Sequence, residues 1–229
     1  MKILMSDFDE TIYFEDNERV NNKNIEAIRK FVSYGNIFGI VTGRSYWDLK
    51  PYLEKYNILY SYLICNDGAK IFNNMDYCLD TILIDGNKVS KMLAFIEEKG
   101  WDYYLDDGYN KTTNVNDCVK IVVNCSNEED KEEYVSLLKK VVPLHIYSSR
   151  NHINIVANGV DKEKAIKRLF NLEKLDYSKL KTIGDNITDY EMLKSFPGGI
   201  IKKHHPSLDE LEKKEYAYLS DYIEELMKN

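Results

Sequence analysis

The 229-residue chain lacks the cysteine and histidine patterns that form the disulfides or zinc sites of small stabilised proteins. Its four cysteines are widely spaced and form no C-x-x-C pair, and its four histidines show no H-x-x-x-H spacing. We therefore expect neither a disulfide framework nor a zinc site, and apolar neighbours favour reduced thiols in the core. No apolar run approaches the length of a signal sequence or a membrane span, which predicts a cytoplasmic protein that makes no membrane contact.

The composition is that of an ordinary globular protein, with 44% apolar residues, no internal repeat and no low-complexity segment. The chain is long enough to form one large domain or two smaller ones. Lysine and arginine (31) are outnumbered by aspartate and glutamate (38), which gives a net charge of −7. This balance argues against a nucleic-acid surface, and an anionic substrate would need locally gathered cations. We expect a monomer or a weak dimer.

The two ends of the chain alternate between strand-like and helix-like segments. This alternation predicts a doubly wound, Rossmann-like α/β core with a parallel sheet. The apolar patterns place buried strands at 3–5, 36–41, 61–65 and 180–183, and helices at 24–34, 161–172 and 189–196. Ser45 and Asp48 resemble a capping box that opens a further helix, and Pro51 is expected either to kink that helix or to displace its start.

The middle third of the chain has a different pattern. Strands are predicted at 81–84, 101–105 and 118–125, helices at 87–99 and 128–141, and paired strands at 144–148 and 152–157 around a turn at 149–151. Strands joined by a tight turn are antiparallel, so this third is interpreted as a smaller α+β unit inserted into the core. The predicted division is a core at 1–76, an inserted domain at 77–157 and the rest of the core at 158–229.

Two aspartates follow the first buried strand at alternate positions. Asp7 and Asp9 should point the same way from an extended backbone, with Thr11 shortly after them. The carboxyl ends of buried strands are where open α/β sheets bind their ligands. A polar loop that closes the strand and caps the next element would produce the same residues.

Three other polar clusters sit at predicted strand ends or helix starts: Thr42-Gly43-Arg44, Lys162, and Asp185 with Asp189. Each has a simpler explanation, as a turn, an exposed lysine or a pair of helix caps. Lys162, however, would lie in the first turn of a helix capped by Asp161, where a cation opposes the helix dipole. That penalty is understandable if Lys162 faces an anion.

In this order, the four clusters resemble the motifs of the haloacid dehalogenase superfamily. The segment Asp7-Phe8-Asp9-Glu10-Thr11 is similar to D-x-D-x-T, and Thr42, Lys162 and Gly184-Asp185 with Asp189 are similar to the second, third and fourth motifs. An insertion between the second and third motifs resembles the Cof-type (IIB) sugar-phosphatase branch, whose cap is of the C2 type. The chain departs from that branch at Asp67, where asparagine is frequent, at Thr188, and at 202–205, where a Gly-Asn-Ala loop is usual.

The resemblance implies a Mg²⁺-dependent phosphatase that acts on a small phosphorylated metabolite, with sugar phosphates favoured. Asp7 would be the nucleophile that forms an aspartyl-phosphate, and Asp9 the acid and base. The implied metal-site residues are Asp7, Asp9, Asp185 and Asp189, with Asp189 acting on the metal through another ligand or through water. The implied phosphate-binding residues are Thr11, Thr42, Gly43 and Lys162. We expect substrate specificity to come from the cap, with Asp106, Asp107, Tyr109 and Arg150 as candidates.

Two alternatives remain at this point. Relatives with a similar cap position include phosphomutases that isomerise hexose phosphates. A non-catalytic phosphoacceptor module, like a receiver domain, would also phosphorylate an aspartate. Receiver domains lack a second acid at the position of Asp9 and lack an inserted cap, so the sequence disfavours that hypothesis.

Overall fold

The computed structural model describes residues 1–125, 127–149 and 151–228. Its strands, in chain order, are β1 (Ile3–Ser6), β2 (Ile37–Val41), β3 (Tyr62–Cys65), β4 (Lys70–Asn73), β5 (Cys78–Thr81), β6 (Tyr103–Asp106), β7 (Lys111–Thr112), β8 (Lys120–Asn124), β9 (His145–Ser149), β10 (His152–Val156), β11 (Leu180–Gly184), β12 (Gly198–Ile201) and β13 (Glu215–Tyr216). Its α-helices are α1 (Glu18–Ser33), α2 (Tyr46–Tyr56), α3 (Gly86–Glu98), α4 (Glu128–Leu138), α5 (Lys162–Glu173), α6 (Tyr190–Ser195) and α7 (Leu219–Lys228).

The large sheet has β1 near its centre. Within the described ranges its order is β13-β12-β11-β1-β2-β3-β4-β5, and the pairs from β13 to β3 are parallel. The hairpin of β4 and β5 is antiparallel and extends one edge. Because β1 lies between β2 and β11, the loops after these three strands meet at one edge of the sheet. The predicted doubly wound α/β core is confirmed.

Helices cover both faces of the large sheet because successive side chains of β1 point to opposite faces. Leu4 packs in one apolar core together with residues of α1, α2 and α7. Ile3 and Met5 pack in a second core with residues of α5 and α6. The result is a three-layer arrangement in which β1 is buried on both faces, as its continuous apolar sequence predicts.

The inserted unit is built on a separate antiparallel sheet, the small sheet, with order β7-β6-β8-β10-β9 in the part of the chain that the structure describes. Helices α3 and α4 pack against it around a core of their own. A smaller α+β unit between β5 and α5 is therefore present. Its boundaries at 76/77 and 157/158 stay a prediction, and β5 belongs to the large sheet.

Several predicted elements differ from the observed ones. Helix α1 begins at Glu18, six residues before the predicted start, because the Asn17 side chain accepts the N–H of Val20 and caps a polar first turn. Strand β4 was not predicted, and β5 ends where a strand was expected to begin. Ser45 makes no side-chain capping bond to α2, so the predicted capping box is wrong. Pro51 lies inside α2 and does not displace its start.

No described helix combines the length and the apolar character that crossing a membrane would require. All four cysteines are free thiols, three of them buried and Cys78 partly buried.

Candidate active site

The first strand places Asp7 at the edge of the sheet where three loops meet. The N–H of Asp7 donates to the carbonyl of Ile183 at 3.0 Å, so the parallel ladder with β11 runs one residue beyond β1. The chain then turns sharply, since the carbonyl of Phe8 accepts the N–H groups of Ile12 and Tyr13. The Asp7 carboxylate is consequently buried and fixed, while the Asp9 side chain lies at the rim, 28% exposed.

Lys162 joins two of the predicted site aspartates. Its Nζ donates to Asp7 Oδ1 at 2.6 Å and to Asp189 Oδ1 at 2.5 Å, and all three side chains are buried. Asp161 caps α5 by accepting the N–H of Lys164, which places Lys162 in the first helical turn as expected. The dipole penalty at that position is offset by two carboxylates in direct contact.

Asp185 and Asp189 complete an acidic cluster. Asp189 Oδ2 accepts the N–H groups of Asp185 (3.1 Å) and Asn186 (2.9 Å), so its carboxylate is locked by the backbone of the loop. Thr11 Oγ1 donates to Asp185 Oδ1 at 2.7 Å. Thr11 was predicted to bind phosphate, but in the structure its hydroxyl orients a carboxylate of the cluster.

The cluster is electrostatically strained. Burial, and then the charge of Asp189, raise the pKa of Asp7 well above its usual range and that of Asp185 to about 7. Burial alone would lower the pKa of Lys162, but the charges of Asp189 and Asp7 outweigh it and raise that pKa. Lys162 thus brings one positive charge to three buried carboxylates.

This donor set could hold a divalent cation. Asp7, Asp185 and Asp189 each place one carboxylate oxygen within 4.8 Å of the others. Oxygen ligands and excess negative charge suit Mg²⁺, a hard cation that prefers carboxylates. The residues therefore fit the metal that the sequence predicts.

Arg44 binds the second aspartate of the first motif. Its guanidinium forms a two-point ion pair with Asp9, at 2.9 Å (Nε–Oδ2) and 2.8 Å (Nη2–Oδ1), and lies 4.6 Å from the centre of the Tyr52 ring. Sequence analysis assigned Arg44 no role of its own. Thr42 is buried beside it, accepts the Arg44 N–H at 3.1 Å, and keeps its own hydroxyl proton for another acceptor.

A second ion pair, beside Thr42 and Gly43, joins the inserted unit to the core. Lys120, from β8 of the small sheet, donates to Asp67 Oδ2 at 2.8 Å and to the carbonyl of Gly43 at 2.9 Å. Both charged side chains are buried. Sequence analysis singled out Asp67 only as a departure from the usual asparagine and did not identify Lys120. The negative charge of Asp67, where a neutral asparagine is usual, was the signal that could have pointed to a buried cation nearby.

The candidate specificity residues of the inserted unit lie in different environments. Asp106 is fully buried and accepts hydrogen bonds from Ser45, from Trp47 Nε1 (3.0 Å) and from the Gly108 N–H (2.6 Å). The carboxylate thus has polar partners in both the core and the inserted unit and no exposed surface, and its role as a substrate contact stays a prediction. It ties the inserted unit to the core.

Two of the remaining candidates, Asp107 and Tyr109, belong to one loop of the inserted unit. Asp107 Oδ1 accepts the N–H groups of Tyr109 and Asn110, which makes it a turn-forming residue. Tyr109 is 37% exposed and its ring lies 3.9 Å from Lys70 Nζ, so it keeps a surface that a substrate can reach. Arg150 lies outside the described residues.

The basic segment at 202–205 follows β12 and borders the acidic cluster. The N–H of His205 donates to the carbonyl of Asp185 at 2.8 Å, and His204 pairs with Asp209. Lys202 and Lys203 are exposed. This segment therefore supports the backbone of the Asp185 loop in the place of the usual Gly-Asn-Ala sequence.

Comparison with known proteins agrees with this arrangement. The sequence matches the haloacid dehalogenase-like hydrolase family over residues 4–116 and 101–204. The chain belongs to that family. The predicted superfamily, Cof-type resemblance and enzyme class, a phosphatase-type hydrolase, are confirmed.

Similar proteins cover almost the whole chain. An uncharacterized protein of Mycoplasma capricolum is 27% identical, with 98% of each chain covered. The 5-amino-6-(5-phospho-D-ribitylamino)uracil phosphatase YcsE of Bacillus subtilis is 23% identical, covering 87% of this chain and 83% of its own.

Solved structures share the fold. A haloacid dehalogenase-like hydrolase from Bacteroides thetaiotaomicron superposes with a TM-score of 0.82 at 14% identity, covering 98% and 99% of the two chains. The HAD subclass IIB sugar phosphatase BT4131 superposes with a TM-score of 0.80 at 19% identity, covering 100% and 98%.

Proposed function

We propose that the protein is a Mg²⁺-dependent phosphatase that hydrolyses a small phosphorylated metabolite, with sugar phosphates favoured, through an aspartyl-phosphate on Asp7. The observation that carries the proposal is the buried Asp7 carboxylate, held 2.6 Å from Lys162 Nζ beside Asp185 and Asp189. Its burial and its contact with the Lys162 ammonium hold this carboxylate in one position.

The metal would be held by Asp7, Asp185 and the backbone carbonyl of Asp9, with Asp189 supporting it directly or through water. When bound, Mg²⁺ neutralises negative charge on the phosphoryl group and on the carboxylates. Thr11 and the N–H groups that bind Asp189 keep the carboxylates in place without the metal.

The first chemical step is attack by an Asp7 carboxylate oxygen on phosphorus. A phosphorus–oxygen bond to Asp7 forms, the bond to the leaving alcohol breaks, and Asp9 gives its proton to the leaving oxygen. Lys162 stabilises charge on the transferring group, while the Thr42 hydroxyl and the Gly43 loop bind phosphoryl oxygens. In the second step Asp9 takes a proton from water, which attacks phosphorus and releases Asp7 and inorganic phosphate.

The substrate class rests on relatives and on the inserted unit. YcsE is named for a phosphorylated ribityl compound and BT4131 for sugar phosphates. Both names describe phosphate esters of polyhydroxylated carbon chains. The inserted unit reaches the loop after β2 through Lys120, which donates to the Gly43 carbonyl, so we assign contact with the leaving group to that unit.

The proposal is tested by measuring inorganic phosphate release from sugar phosphates, nucleotides and phospho-acids, with and without Mg²⁺. We expect turnover on a sugar phosphate only with Mg²⁺, and none for Asp7→Asn. Asp176→Asn, on a side chain that only caps a surface turn, is the matched control and should keep full activity. Wild-type protein that releases no phosphate from any of these compounds would refute the proposal.

The same assay separates the alternatives. A phosphomutase would isomerise a hexose phosphate and need a bisphosphate activator, whereas a phosphatase yields free phosphate without one. A long-lived phosphoprotein without turnover would indicate a phosphoacceptor module.

A further inference from the structure

Two loops of the large sheet are pressed together beside the proposed phosphate site. The Thr42 loop (residues 42–44) follows β2 and the Asp67 turn (residues 66–68) follows β3. The N–H of Asp67 donates to the carbonyl of Thr42 at 3.1 Å, and the N–H of Asn66 donates to the carbonyl of Arg44 at 2.9 Å. A Cβ on Gly43 would lie 2.8 Å from Asp67 Oδ1, so the two loops share one packing arrangement.

The inserted unit supplies the residue that joins these loops. Lys120 Nζ bridges the carbonyl of Gly43 and the carboxylate of Asp67, at 2.9 and 2.8 Å. Its strand, β8, is central in the small sheet, between β6 and β10. The lysine is therefore carried by a rigid element.

The surroundings make this bridge electrostatically strong. Apolar side chains from the core and the inserted unit form a buried cluster nearby in the chain: Ala69, Val119, Val156 and Val160. Burial would raise the pKa of Asp67, but the charge of Lys120 outweighs it and holds that pKa below its usual value. Two opposite charges in such a site stabilise each other only while both are present. The bridge therefore forms when the inserted unit is seated on the core.

We propose that Lys120 is a positioning residue that couples the seating of the inserted unit to the geometry of the phosphate-binding Thr42 loop. It acts through the Gly43 carbonyl, and Asp67 supplies the counter-charge that brings its ammonium there. The inference rests on the proposed function in assigning phosphate binding to the Thr42 loop. An aspartate at position 67 is explained because a neutral asparagine would not compensate a buried lysine.

The test separates positioning from charge balance. Lys120→Met, Asp67→Asn and the double variant are compared with wild type for kcat/KM on p-nitrophenyl phosphate, inhibition by inorganic phosphate, and Tm. Lys120→Met should lower kcat/KM roughly tenfold to hundredfold, because displaced positioning groups cost rates of this order. The double variant buries no unpaired charge at this site, so its Tm should return towards that of wild type. Its kcat/KM should stay low and its inhibition by phosphate should stay weak.

Lys70→Met is the matched control. Lys70 is a buried lysine of the core that donates to the Asp107 carbonyl of the inserted unit at 2.7 Å, away from the Thr42 loop. Its loss should lower Tm and leave kcat/KM unchanged. Equal losses of kcat/KM in both lysine variants, or recovery of kcat/KM in the double variant, would overturn the proposal.

A readout without turnover keeps the two proposals apart. Calorimetric titration with inorganic phosphate should show weaker binding for Lys120→Met than for Lys70→Met. Wild type that releases no phosphate would refute the phosphatase proposal, while this difference in phosphate binding would still support the role of Lys120. Equal phosphate binding in the two variants would refute it.

Discussion

Replacing Lys162 by methionine tests the centre of the site most directly. The ammonium contacts Asp7 at 2.6 Å and Asp189 at 2.5 Å, and methionine keeps much of the side-chain volume while removing the charge. Loss of one preorganised charge-stabilising donor costs about 3 kcal/mol in the transition state. That corresponds to a fall in kcat of roughly 160-fold.

The same substitution should lower stability. Removing one partner of a buried ion pair costs about 3 kcal/mol or more, which is about 6–12 °C in Tm for a chain of this size. Because the folded-state pKa of Lys162 is raised above 10.5, its stabilisation is fully present below that pH. The Tm difference should therefore appear throughout the neutral range, from pH 6 to 9.

The control is Lys164→Met, in the same turn of α5. Lys164 pairs with Asp161 but is 56% exposed, and such surface pairs contribute little. Its kcat and Tm should match wild type. A Lys162→Met protein that folds and retains more than about a tenth of wild-type kcat would refute the assignment, because the missing charge would then supply less than half the expected stabilisation.

Three further perturbations address the metal, the acid and the packing of the site. Mg²⁺ at about 100 times its Kd should stabilise the wild-type fold by about 2.7 kcal/mol in thermal unfolding. An equal stabilisation of Asp185→Asn by Mg²⁺ would exclude Asp185 from the metal site. Asp9→Asn should lower kcat by about 10²–10⁴-fold, measured by phosphate release. The control Asp48→Asn removes only a weaker contact of Arg44, so its kcat should stay near that of wild type. Similar losses of kcat in both variants would contradict the acid–base role of Asp9. Gly184→Ala would place a Cβ 2.5 Å from Asp189 Oδ2. The free energy of unfolding, measured with denaturant, should fall by about 1–3 kcal/mol, and Mg²⁺ binding should weaken. An unchanged stability and an unchanged Mg²⁺ affinity would show that the Asp189 loop can shift freely.

The parts of the fold that follow local periodicity were predictable from the sequence. The buried strands before Asp7 and Thr42 are short apolar runs, and the parallel pairing of β1 with β2 and β11 brings the ends of these strands to one edge. The conflict between the charge of Lys162 and the start of a helix indicated that it faces an anion, although an exposed lysine was the simpler explanation of that residue alone.

Features that depend on distant pairing were not predictable. Lys120 and Asp67 are 53 residues apart in sequence, and no local pattern indicates that they meet. Asp106 looked like an exposed loop acid because its partners Ser45 and Trp47 lie far away in sequence, at the start of helix α2 in the core. Strand β4, with the sequence Lys-Ile-Phe-Asn, has only two apolar residues between polar ends, so neither an apolar run nor an alternation separates it from a loop.

The junction between β10 and α5 limits how freely this enzyme could exchange its cap in evolution or by design. Residues 157–161 connect the last strand of the small sheet directly to Lys162, and Val160 within this link is buried between the two units. A foreign cap spliced at this point would also shift the first turn of α5, which carries the lysine. A chimera should therefore keep 157–161 from the recipient core, so that a new specificity arrives without altering the charge at the reaction centre.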